Sequence, residues 1–212
     1  MADLRPGDLM FGPMGGFAGV FPVGVGQVLL ASRKDRLTWR QWWKIRHCGV
    51  VVENAPTGWP KVVEARPEGA REVRLTARRW TSEYVYIRPE YRMDASDWQY
   101  TQGWTVAEMA RKYIGTPYNF LTYAKLAAGH FGLPLSTELL RRWISTRDDM
   151  MCSQLVDQAL TDAGYHVFDD GRLPQDVVPA ELFRALLYLP GQYCVPGVTG
   201  WLDNSLWLTP TR

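Results

Sequence analysis

The chain has 212 residues, of which 46% are hydrophobic and 22% are charged, so it can bury the core of one globular domain. Its net charge of +2 gives no reason to expect a nucleic-acid partner. Three cysteines cannot build a disulfide framework and leave at least one thiol free, which favours a reducing compartment. Because no Cys-x-x-Cys or His-Glu-x-x-His spacing occurs, we expect neither a metal ion nor another cofactor.

Residues 9–32 carry no charge and could be mistaken for a signal peptide or a membrane span. Prolines and repeated glycines interrupt the stretch, and the acidic residues Asp3 and Asp8 precede it where a signal peptide requires positive charge. The pattern instead predicts a strand, a glycine loop and a short helix at 27–31. We therefore expect no export signal and no transmembrane segment, which fits a cytoplasmic protein or one carried in a virion.

Short apolar or alternating runs predict four β-strands, at residues 8–11, 47–53, 61–65 and 84–88. We expect the last three to form an antiparallel meander. Helical spacing predicts three helices, in which Thr105 caps the first and Gly164 ends the second. These helices are residues 105–114, 152–163 and 179–189.

The order of these elements predicts an α+β fold, in which an antiparallel sheet packs against the helix that starts at Cys152. Residues 120–146 have interrupted helical spacing, and we interpret them as a helical insertion that covers one side of a site. The domain then occupies residues 1–189. Residues 190–212 are rich in glycine, proline and aromatic residues, which predicts an irregular tail that packs on its own domain or docks on a partner.

Three residues have the chemistry of a thiol nucleophile with its base and orienting group. Cys152 stands at a predicted helix start, where unpaired N–H groups and the helix dipole lower the pKa of a thiol and can stabilise an oxyanion. His47, at the start of an apolar strand, is the candidate base. Glu64, a carboxylate between two apolar residues, is the candidate orienting group. Taken singly, each has an ordinary structural interpretation: a buried small side chain, a strand-end imidazole and a solvated edge carboxylate.

Six short motifs follow one another along the chain: PGDL at 6–9, HCGVV at 47–51, VEA at 63–65, GTPY at 115–118, CSQLV at 152–156 and PQD at 174–176. Their order resembles the circularly permuted NlpC-type cysteine hydrolases, which are papain-like and related to the lecithin:retinol acyltransferase group. In this branch the histidine strand precedes the cysteine helix, as it does here. The resemblance covers about residues 4–185.

The resemblance implies a role for each residue of the site. Cys152 would be the nucleophile, His47 the base and Glu64 the orienting group, while Tyr118 and Ser153 would help to hold the oxyanion or the substrate. The implied activity is that of a cysteine amidase or peptidase, with cell-wall peptides as substrates. Cys48 departs from the small or polar residue expected after the histidine, and strand alternation predicts that it points away from the pocket.

Two other functions stay open. The related acyltransferases imply that the same thiol could take an acyl chain from a lipid. Alternatively, the chain is a structural protein of a larger assembly with a vestigial hydrolase domain, and it contacts partners through the tryptophan-rich stretch at 39–43 and the tail. A bacteriophage tail or virion protein would suit this second possibility.

Asp148 and Asp149 precede Cys152 in the sequence and could raise the pKa of its thiol by like-charge repulsion.

Overall fold

The computed structural model describes residues 4–14, 44–54, 59–76, 84–89, 98–118, 150–188 and 193–194. Several predictions lie outside these residues: the helix at 27–31, the tryptophan-rich stretch at 39–43, the insertion at 120–146, Asp148, Asp149 and most of the tail. The described part is an α+β arrangement of an antiparallel sheet and helices, so the coarse fold prediction is confirmed.

The sheet has the strand order β4-β3-β2-β1-β5-β6, and each pair of neighbours is antiparallel. β1 lies inside the sheet, where Leu9 pairs with Val50 on one side and with Ile87 on the other. The strands are β1 (Leu9–Gly12), β2 (His47–Glu53), β3 (Lys61–Arg66), β4 (Gly69–Arg74), β5 (Val85–Arg88) and β6 (Tyr193–Cys194).

The predicted meander is correct only for β2 and β3, and the structure extends it with β4, a strand that was not predicted. β5 was expected to continue the meander but crosses to the far side of β1, because β1 occupies the other edge of β2. β6 also differs from the prediction, since two residues of the tail expected to be irregular pair with Ile87 and Arg88. This piece of the tail therefore packs on its own domain.

The helices observed in the described residues are α1 (Trp98–Lys112), α2 (Cys152–Asp162) and α3 (Pro179–Tyr188), with a 3₁₀ turn at Pro174–Asp176. The predictions for α2 and α3 are confirmed to within a residue at each end. The predicted start of α1 at Thr105 is wrong, because the helix runs through Gly103. A Cβ on Gly7 would lie 2.4 Å from the Gly103 Cα, so the two glycines let this helix approach the N-terminal turn closely.

The sheet is buried on both faces, which explains why β2 is apolar at most positions rather than alternating. All three helices contribute side chains to a core on one face, together with Cys48, Val50 and Val63. A smaller cluster that includes Met10 and Val51 covers the other face. None of the described helices combines the length and the apolar character that crossing a bilayer requires.

Candidate active site

The structure places Cys152 at the first residue of α2, directly after the extended N-cap residue Met151. The side chain of Gln154 accepts a hydrogen bond from the Met151 N–H at 3.4 Å, and this contact helps to fix the start of the helix. The approach to the helix is held by a bond of 2.7 Å from the Met150 N–H to the Pro117 carbonyl. The thiol therefore lies at the positive end of the helix dipole, and its side chain is fully buried.

His47 and Glu64 are in direct contact and both are fully buried. The Nε2 atom of His47 lies 2.7 Å from Oε2 of Glu64. The ring also interacts with the Cys152 thiol, although its Nδ1 atom has no well-aligned hydrogen bond within the described ranges. The three residues predicted from the sequence thus meet in one place.

Gly49 makes the contact between β2 and Glu64 possible. A Cβ at this position would lie 2.8 Å from the Val63 carbonyl oxygen and 3.3 Å from the Glu64 Cβ. Glu64 is not the solvated edge carboxylate of the alternative interpretation, because β4 covers β3 and the side chain is fully buried. Its second oxygen, Oε1, lies 2.6 Å from the Nε atom of Arg66. This N–H is not aligned as a hydrogen bond, so the contact is an ion pair.

The electrostatics favour a thiolate facing an imidazolium. Burial alone lowers the pKa of His47, but the Glu64 carboxylate and the Cys152 thiolate more than offset it, so the pKa is raised. A hydrogen bond from Cys48 lowers the pKa of Cys152, and although burial opposes it, the contact with His47 helps to bring that pKa well below its ordinary value. A thiolate–imidazolium pair is the reactive form of a cysteine nucleophile.

Cys48 does not point away from the site, so this prediction is wrong. Alternation does place it on the opposite face from Gly49, but that is the face against which α2 packs, with Cys152 in the same buried cluster. The thiol and the backbone N–H of Cys48 both interact with the Cys152 sulfur. Burial raises the pKa of Cys48 well above its ordinary value, so it stays protonated and can donate. The sequence offered no signal for this role beyond its position next to His47.

Tyr118 and Ser153 both lie beside the start of α2. Tyr118 is buried and forms an isolated parallel bridge with Met150, which brings it alongside the residues that lead into Cys152. The hydroxyl of Ser153 donates a buried hydrogen bond of 2.6 Å to the Val177 carbonyl and so ties α2 to the segment after the 3₁₀ turn. Any contribution of Ser153 to an oxyanion site would therefore come from its backbone N–H in the first helical turn.

Sequence reasoning gave no reason to expect that Asp157 of α2 would be buried. The residue is only 5% exposed, and its burial raises the pKa to about 6, against the opposing effects of Arg172 and His166. Several other elements pack against α2, and the spacing of residues within one helix does not show which of its faces they bury. Arg66 was missed as well, although its position two residues after Glu64 predicts that both side chains lie on the same face of the strand.

The fold and the site together define an α+β protein with a buried Cys–His–Glu array. Within the described residues, no group of three or more His, Cys, Asp or Glu side chains is arranged to hold a metal ion. Comparison with protein-family models, with curated proteins and with solved structures finds no match to this chain. The family resemblance of the motifs therefore stays a prediction.

Proposed function

We propose that the protein is a cysteine amidase or peptidase with a permuted NlpC-type, papain-like fold. The observation that supports this most directly is the contact of Cys152, at the start of α2, with a buried His47 whose Nε2 atom lies 2.7 Å from Oε2 of Glu64. A nucleophile, a base and a group that orients the base are the parts that acyl transfer through a thiol requires.

In the proposed reaction, the Cys152 thiolate attacks the carbonyl carbon of an amide, and the carbonyl oxygen becomes an oxyanion. The first-turn N–H groups of α2 and the hydroxyl of Tyr118 stabilise that oxyanion. The His47 imidazolium gives its proton to the leaving amine, and the C–N bond breaks to leave a thioester. His47 then takes a proton from water, the resulting hydroxide attacks the thioester, and the carboxylic acid is released as the thiolate reforms. Glu64 keeps the His47 ring oriented both while the thioester forms and while it is hydrolysed.

The proposed substrate is an amide bond in peptidoglycan peptides, and the proposed setting is a phage tail or virion, where local opening of the wall needs such an activity. The test is to incubate the full chain with purified muropeptides and to look for new amino groups by mass spectrometry. The wild-type protein should produce them, whereas Cys152→Ala should not, although its thermal unfolding stays close to wild type. Equal product from both proteins would end the proposal.

A lipid acyl-transfer activity is the second candidate, and the apolar setting of the thiol favours it. Cys152 is fully buried in a cluster that includes Leu155, Val156 and Phe183, and such surroundings suit an acyl chain better than a polar peptide. The protein should be incubated in parallel with a labelled phospholipid and with muropeptides. A labelled acyl group on Cys152 from the lipid, with intact muropeptides, would favour acyl transfer over amide hydrolysis. No reaction with either substrate would favour a structural role with a vestigial site.

A further inference from the structure

Arg66 contacts the carboxylate that holds the candidate base. It is the last residue of β3, and its Nε atom lies 2.6 Å from Oε1 of Glu64, while Oε2 of the same carboxylate faces His47. Glu64 is fully buried, whereas the Arg66 side chain is 24% exposed. The guanidinium therefore reaches inward from the rim of the sheet and places a fixed positive charge on the side of the carboxylate opposite the imidazole.

The backbone around Arg66 is fixed on both sides of the hairpin turn. Arg66 pairs with Gly69, which has a φ of +106°, a conformation that suits glycine and closes the turn. The next residue, Ala70, forms two backbone hydrogen bonds of 2.8 Å, one with Gly115 and one with Thr116, in the segment that follows α1. The segment after α1 thus holds the turn, and Arg66 approaches Glu64 from a strand end whose backbone is hydrogen-bonded on both sides of the turn.

A buried carboxylate stays ionised only where positive charge offsets the cost of its desolvation. The ionised form of Glu64 accepts from the Nε2–H of His47 and favours the imidazolium, which in turn favours the Cys152 thiolate. If the Arg66 charge is lost, the neutral acid becomes more favourable, and a neutral acid no longer stabilises the imidazolium. The effect would then pass through two side chains to the sulfur.

We infer that Arg66 is a positioning residue, which acts through Glu64 and His47 to keep Cys152 as a thiolate. The inference deepens the proposed function, but ionisation of the thiol can be measured without any substrate. Among the described residues, Cys48 and, through it, Asp157 also influence the sulfur, and a change at Arg66 leaves both of these side chains in place.

The experiment follows the thiolate by its ultraviolet absorbance as a function of pH, with the spectrum of Cys152→Ser subtracted to isolate one sulfur. Arg66→Gln should reduce the thiolate fraction at low pH roughly tenfold, which corresponds to a shift of about one pKa unit. Arg66→Lys should restore part of it. Arg74→Gln is the matched control, because it removes the same charge from an exposed position in the same hairpin.

A double-mutant cycle separates positioning from a general structural effect. In the Glu64→Gln background, Arg66→Gln should cause no further loss of thiolate, because the carboxylate through which Arg66 acts is gone. A titration of Arg66→Gln that matches wild type, or an equal loss in both backgrounds, would overturn the inference. Hydrolysis is assayed separately. If the wild-type protein shows Cys152-dependent hydrolysis but the thiolate titration of Arg66→Gln matches that of wild type, only the role of Arg66 is refuted. A shifted titration without any hydrolysis would refute only the proposed function.

Discussion

Replacing Gly49 with alanine should move Glu64 away from His47. The new Cβ would lie 2.8 Å from the Val63 carbonyl oxygen, whereas ordinary contacts begin at 3.4 Å. The atom in the way belongs to the backbone, so β3 must withdraw by about 0.6 Å, the difference between these two distances. Overpacking of this kind costs roughly 1–3 kcal/mol. In a chain of this size such a cost lowers the melting temperature by roughly 2–12 °C.

The same displacement should weaken the contact between the base and its carboxylate. The Nε2–Oε2 distance of 2.7 Å would grow to about 3.3 Å, past the range of a well-formed bond between N–H and oxygen. An intact hydrogen bond to a charged group is worth roughly 1.5–3 kcal/mol, so losing about half of it should reduce the thiolate–imidazolium population roughly threefold to tenfold. The thiolate titration and hydrolysis measured at the same pH should both report this loss.

Val51→Ala is the matched control for this prediction. Val51 lies two residues further along β2 and is fully buried in the cluster on the other side of the sheet from Val50. Its truncation should cost about 2 kcal/mol through the cavity it leaves, but it does not push on β3 at Glu64. The control should therefore lose stability and keep its titration. If Gly49→Ala keeps a wild-type titration while its melting temperature falls, the close approach of the strands does not set the place of Glu64.

Three further predictions concern ionisation. Hydrolysis should rise with pH through the lowered pKa of Cys152 and fall above the raised pKa of His47, and a rate that climbs steadily to alkaline pH would contradict the ion pair. Cys48→Ala should reduce the thiolate fraction at low pH roughly threefold to tenfold, because a donor to the sulfur is lost; the absorbance titration checks this. The pKa of Asp157 is 3.8 in the unfolded chain and about 6 in the folded protein, so ionisation of this carboxyl lowers the free energy of unfolding as the pH rises between these two values. Asp157→Asn removes this loss and should stabilise the fold above pH 6 by roughly 2 kcal/mol. Denaturation at pH 8 and at pH 3 should show the gain only at the higher pH.

The elements that carry the nucleophile and the base could be predicted because their sequences are locally unambiguous. The helix at Cys152 has an apolar stripe with a glycine beyond its end, and the strand at His47 has the apolar composition of a strand buried on both faces. β4 escaped prediction because the charged residues Arg71, Glu72 and Arg74 dominate it, and its place in the sheet depends on pairing with β3. The start of α1 was placed too late, since helix propensity argues against Gly103 inside a helix while its contact with Gly7 requires glycine.

The contacts around the site were harder to predict than the elements. Strand alternation correctly separated Cys48 from Gly49, but it could not show that α2 covers the face on which Cys48 lies. The pairing of Arg66 with Glu64 follows from their spacing only once β3 is known to be buried at Glu64 and open at its end. Spacing along one element predicts which side chains share a face, whereas the identity of what packs on that face is decided by residues far away in the sequence.

The four side chains of the site form a row of alternating charge: Arg66, Glu64, His47 and Cys152. Buried charges are costly singly, and opposite neighbours offset much of that cost. Removing one inner member leaves its neighbours without compensation, so Glu64→Gln should disturb the thiolate more than loss of the partly exposed Arg66 does. A row of this kind also explains how the ion pair can persist although His47, Glu64 and Cys152 are fully buried: each charge is offset by the next, and the last positive charge, on Arg66, lies at the solvent rim.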